Sequence, residues 1–120
     1  MLVPHLYFNR RSKEAISQYI KALGAEVETV VPYPEHEDKK GVRHAEIIIH
    51  GQRIMLNDED LGPPCLVVIY DNKEDLMQSY ELMKEGGEIT APMIETDYSP
   101  CVVGFRDRFG IDWAFMVGES

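Results

Sequence analysis

Two residues have the spacing of a proton donor and acceptor held side by side: His44 and Glu46, in VRHAEIIIH at 42–50. Side chains on an extended chain alternate between faces, so residues two apart share one face, about 7 Å from each other. A His–Glu pair so placed can hold or move a proton at a reacting group. It can equally be a polar pair that satisfies itself across strands. His5 and Tyr7 repeat the spacing on the first apolar stretch, LVPHLYF at 2–8. Asp112, in GIDWAF at 110–115, either joins such a face on the last stretch or stands solvated near its turn. The remaining chemical groups lead less far. His36, with Glu35, Glu37 and Asp38, sits in PYPEHEDKKG at 32–41, the composition of a solvated surface loop. His50 falls at a turn. Cys65 and Cys101 lack metal-binding spacing and a neighbouring base in sequence, so neither reads as a nucleophile.

Strands must position these residues, and the chain supplies them in two matching sets. The first strand is followed by a helix that Ser12 can cap, with Ala15, Ile16, Tyr19, Ile20 and Leu23 on one stripe and Gly24 as its stop. Glu26 to Val31 alternates as a second strand. In the third strand, from Val42, the alternation sets Arg43, Ala45, Ile47 and Ile49 against Val42, His44, Glu46, Ile48 and His50. A tight turn at His50-Gly51 leads to a fourth strand, Arg53 to Leu56. NDEDLGPP at 57–64 reads as a linker, and the pattern then restarts. Cys65 to Tyr70 is a strand. Asn72 can cap a helix with the stripe Leu76, Met77, Tyr80 and Met83, which Gly86-Gly87 ends. Three further strands follow, and the last carries Trp113, Phe115 and Val117 as core. Gly51 and Gly110 open equivalent strands 59 residues apart, so the chain reads as one domain of two βαβββ modules, 1–60 and 61–120.

Bulk properties bound the function. A chain of 120 residues, 44% of them hydrophobic, is large enough for one real core. The net charge of −9 argues against nucleic acid, whose phosphates demand cations; it keeps the chain soluble and permits a cationic ligand. No apolar run approaches a membrane span. The N-terminus lacks a signal peptide's order of residues, so a reducing cytoplasm with free thiols is expected.

The paired βαβββ pattern resembles the vicinal oxygen chelate superfamily, which includes glyoxalase I, extradiol dioxygenases, fosfomycin resistance enzymes and bleomycin resistance proteins. Within it the chain is most similar to the PhnB-like branch. The stretches that carry the resemblance are HLYF with SKEAISQYIKALGAE in 5–26, RHAEIIIHGQRIMLND at 43–58, and KEGGEI, ET and FRDRFGIDWAF in 84–115. One departure is Tyr98, where the branch usually has Trp, followed by Ser99-Pro100. The resemblance implies an α+β fold whose two modules form a curved mixed sheet around a cavity, with His5, Tyr7, His44, Glu46, Met55, Asp112 and Ala114 lining it. It also implies a homodimer. Catalytic members carry four metal ligands, on the first and last strand of each module. By the resemblance those positions fall here on His5, Met55, Cys65 and Ala114. Ala114 has no donor and Met55 only a soft thioether, so no metal and no other cofactor is expected.

The function these readings support is metal-independent binding of a small molecule, similar in kind to bleomycin resistance proteins. The alternative is a lyase or isomerase of the glyoxalase or fosfomycin-resistance type, working through His44 and Glu46 or a recruited metal. A dimeric structural or regulatory module is a third class, which a filled apolar cavity would favour.

Overall fold

A computed structural model describes residues 1–118. The elements run β1 (Leu2–Tyr7), α1 (Ser12–Leu23), β2 (Glu26–Pro32), β3 (Val42–Ile49), β4 (Gln52–Asn57), β5 (Cys65–Tyr70), α2 (Lys73–Met83), β6 (Glu88–Ile94), β7 (Val102–Arg106) and β8 (Asp112–Val117). The class is α+β, and βαβββ occurs twice. Contacts divide the chain into two units: Pro4–Pro64, and Met1–Val3 together with the chain from Cys65 onward.

The first unit is a mixed sheet in the order β2-β3-β4-β1. β3 is antiparallel to β2 and β4, and β1 runs parallel to β4. Helix α1 contributes Ile16 to a core of Val42, Ala45, Ile47 and Leu56, with Leu6, Phe8 and Tyr19 against it. Gly24 ends the helix in the left-handed region at φ 68°, where a side chain would be strained, and its N–H donates to the Ile20 carbonyl. The hairpin into β4 turns at His50 and Gly51, both at positive φ.

Two local expectations are corrected here. Val42 does not share a face with His44: it is fully buried in the helix-side core. A register shift between Val31 and Pro32, at the point where β2 meets Val42, breaks the strict alternation. Ser12 is not the cap of α1 but its first residue, and the N-cap, Arg11, offers no side-chain cap. The cap comes instead from far along the chain. Asp58 accepts the Ser12 backbone N–H through Oδ1 and the Val42 backbone N–H through Oδ2, each at 2.7 Å. This buried carboxylate ties the start of α1 to the start of β3. Gly41 at φ 101° leaves the room: a Cβ there would collide with Asp58 Oδ2.

The second unit repeats the order as β6-β7-β8-β5, with β5 parallel to β8 and the other pairs antiparallel. Leu76 and Tyr80 of α2 pack on Val103, Phe105, Phe115 and Val117, with Met77, Met83 and Trp113 around them. Here the sequence-predicted cap is present: the Asn72 side chain accepts the Asp75 N–H at 2.8 Å. The turn before β8 is held by Asp107, which accepts the N–H groups of Phe109 and Ile111 and the indole N–H of Trp113 at 2.8–3.0 Å. Both cysteines are buried and form no disulfide. Among the described residues no helix is long and apolar enough to cross a membrane.

Candidate functional site

Register decides which side chains meet on the first unit's sheet. Met55 stands opposite Glu46 on β3 and opposite His5 on β1, so Glu46, Met55 and His5 form one row across three strands. Asn57 stands opposite Tyr7 on β1. Leu6, Leu56, Ala45 and Ile47 pack into the core on the α1 side. Strand alternation therefore puts His5, Tyr7, His44, Glu46 and Met55 on the opposite face. Arg53, two residues before Met55 on β4, shares that face.

Arg53 completes a polar network. Its Nη1 donates to Glu46 Oε1 at 2.7 Å, and His44 Nε2 lies 3.1 Å from Glu46 Oε2. Both carboxylate oxygens are thus occupied. Burial pushes the Glu46 carboxyl up, but the hydrogen bonds and charges of His44 and Arg53 outweigh it and hold the carboxyl below its ordinary range. A carboxylate so stabilised is a poor proton acceptor near neutral pH. Arg53 was not foreseen as a site residue. The tight turn at 50–51 carries the signal: it sets Ile48 opposite Arg53 and puts Arg53 beside Glu46.

His5 lies deeper. Its ring packs against Tyr7 at 4.7 Å between centroids. Burial lowers its pKa to about 4, helped by the nearby His44 and opposed by the Leu6 backbone. The ring is therefore neutral at neutral pH. Its buried Nδ1 has no hydrogen-bond partner among the described residues.

On the second unit, Asp112 and Ala114 alternate with Trp113 and Phe115, so they stand on the face away from α2. Asp112 is paired rather than simply solvated: Arg106 Nε donates to its Oδ1 at 2.9 Å, and Arg106 also reaches Glu88 at 2.9 Å. Ala114 stands opposite Val67 on β5. This moves one position. Met55 pairs with His5 in the first unit as Ala114 pairs with Val67 in the second, so the counterpart of His5 is Val67, not Cys65. Cys65 opens β5 two residues earlier and is buried. His36, Glu35, Glu37 and Asp38 are exposed, as is His50. Among the described residues no three His, Cys, Asp or Glu side chains are arranged to hold a metal.

The family model for the glyoxalase/bleomycin resistance protein/dioxygenase superfamily matches residues 3–115. The chain belongs to this superfamily. No curated protein matches the sequence. Among solved structures, a Staphylococcus aureus protein is similar at 22% identity over 98% of this chain and 96% of that one, with a TM-score of 0.85. A superfamily member from Vibrio splendidus 12B01 is similar at 18% identity over 99% and 98%, with a TM-score of 0.68. At these identities the likeness is one of fold. The similar structures also include a PhnB protein from Bacillus cereus, at 21% identity over 97% and 98%, with a TM-score of 0.45.

Superfamily membership raises the question of a metal, and the donor chemistry bears on it. The paired strand positions carry an imidazole and a thioether in the first unit, His5 and Met55, and an isopropyl group and a methyl in the second, Val67 and Ala114. Divalent ions need nitrogen and carboxylate donors in number, and neither pair fits them.

Proposed function

We propose that this superfamily member is a PhnB-like, metal-independent small-molecule binding protein, acting in the cytoplasm as a homodimer. The observation that carries the reading is the donor set just described. With one nitrogen donor, His5, at its paired strand positions, the face away from α1 keeps polar groups for recognition and offers a divalent metal little to hold it. A lyase or isomerase working through His44 and Glu46 is the weaker reading, because Arg53 occupies the carboxylate that would have to act as base.

A thermal-shift screen over divalent metals, thiol conjugates and cationic antibiotics tests the reading, since a ligand that binds only the folded state raises the midpoint. Glu46→Gln should weaken a hit by roughly tenfold or more while changing stability by only about 1 kcal/mol, because the ion pair is partly solvated. A Glu46→Gln protein that melts much lower yet binds unchanged would reduce the network to a structural strut.

The homodimer has its own check. Sedimentation at micromolar concentration should give twice the 13.7 kDa chain mass. A monomer mass would remove that part of the proposal.

A further inference from the structure

On the reading that this face binds a small molecule, we infer that the ligand carries a carboxylate attached to a flat apolar body, with the carboxylate held by Arg53. On this face both Glu46 oxygens already accept, Oε1 from Arg53 and Oε2 at His44, and the Asn57 side-chain oxygen accepts the Glu59 N–H at 3.0 Å. Donors are in surplus. Arg53 has five N–H groups and commits one, to Glu46, among the described residues. Its side chain is 37% exposed, so the fork is held at Nη1 by Glu46 without being sealed from solvent. A fork anchored in this way is pre-organised for a planar oxyanion, and bidentate pairing to a carboxylate is the strongest use of its remaining donors.

Global charge points the other way, and distance decides between them. The net charge of −9 would attract cations from afar. Exposed charges more than about 8 Å away are largely screened at physiological salt. At contact range Arg53 and Glu46 compensate each other's charge, and the uncommitted N–H groups of Arg53 remain to decide the preference. The apolar part of the ligand follows from the neighbours. Met55 lies between Glu46 and His5 in the row, and the His5 ring packs at a tilt against the Tyr7 ring. A thioether and two rings suit a flat hydrocarbon.

Calorimetry with three matched probes tests this: 2-naphthoate, 2-naphthamide and 2-naphthylmethylammonium, at pH 7.5. The expected result is that naphthoate binds at least about tenfold tighter than the other two. Arg53→Gln should abolish that preference, and Arg53→Lys should keep part of it. The double variant Arg53→Gln, Glu46→Gln keeps the formal charge of the pair and should also lose the preference; if it retains it, the inference is overturned. Equal binding of all three probes, or tightest binding of the ammonium, also overturns it, while leaving the binding reading intact if His5→Ala abolishes the signal. No binding of any probe at millimolar concentration overturns the carboxylate inference outright. The binding reading falls with it only if the broader thermal-shift screen is silent too.

Discussion

Replacing Asp58 by Ala should lower stability by about 3–5 kcal/mol, a large share of what a domain of this size has. The carboxylate accepts two backbone N–H groups, from Ser12 and Val42, and both of those residues are fully buried. Removing it leaves two donors without a partner where water has poor access, at about 1–3 kcal/mol each, and opens the space beside Gly41. The melting midpoint should fall by roughly 10–20 °C, measured by calorimetry or circular dichroism. A midpoint within about 3 °C of the parent would mean that solvent replaces the carboxylate easily. The effect also has a pH signature. Burial pushes the Asp58 carboxyl up, but the hydrogen bonds from Ser12 and Val42 outweigh it, so its folded pKa lies below the unfolded one. Its stabilisation is therefore complete above the unfolded value of about 3.9, and is lost as pH falls through the folded value. The parent and Asp58→Ala should converge in strong acid and differ most near neutrality.

The second large effect concerns metal. Purified without chelator and without a histidine tag, the protein should carry well under one equivalent of Zn, Mn, Fe or Ni per chain. Compared with a site of nitrogen and carboxylate ligands, affinity should be lower by many orders of magnitude. The cause is charge as well as ligand number. Two carboxylates neutralise a divalent ion, whereas neither Met55 in the first unit nor Ala114 in the second supplies any charge to compensate it. His5 is neutral and can offer one nitrogen, and Val67 adds nothing. Elemental analysis decides the matter. About one equivalent of metal, lost in His5→Ala, would overturn the metal-independent reading and promote an enzyme in its place.

The parts of this architecture that were legible in the sequence are those governed by local periodicity. The alternation in 42–50 put His44 and Glu46 on one face, and the glycines at 51 and 110 marked equivalent turns. What was illegible depends on pairing between segments far apart in the chain. Asp58 sits in a stretch with the composition of a linker, and its role as a cap for α1 spans 46 residues. Cys65 and Val67 are both apolar enough to open a strand, and only the register of β5 against β8 decides which one faces Ala114. Val42 obeys local alternation until β2 slips against it. Arg53 was the accessible miss, since turn geometry alone would have placed it beside Glu46.

The pairing of His5 with Met55 in one module and Val67 with Ala114 in the other amounts to an experiment already performed inside a single chain. The same backbone position holds an imidazole in one copy and an aliphatic group in the other, and both copies keep the same strand order. In each copy the residues beneath the helix stay apolar, so the cost of folding is carried on that side. The opposite side is thereby released from it. Such a division makes the scaffold evolvable: substitutions that recast what the open face recognises can accumulate without endangering the core. It also makes Val67 and Ala114 the natural places for an engineer to install new chemistry.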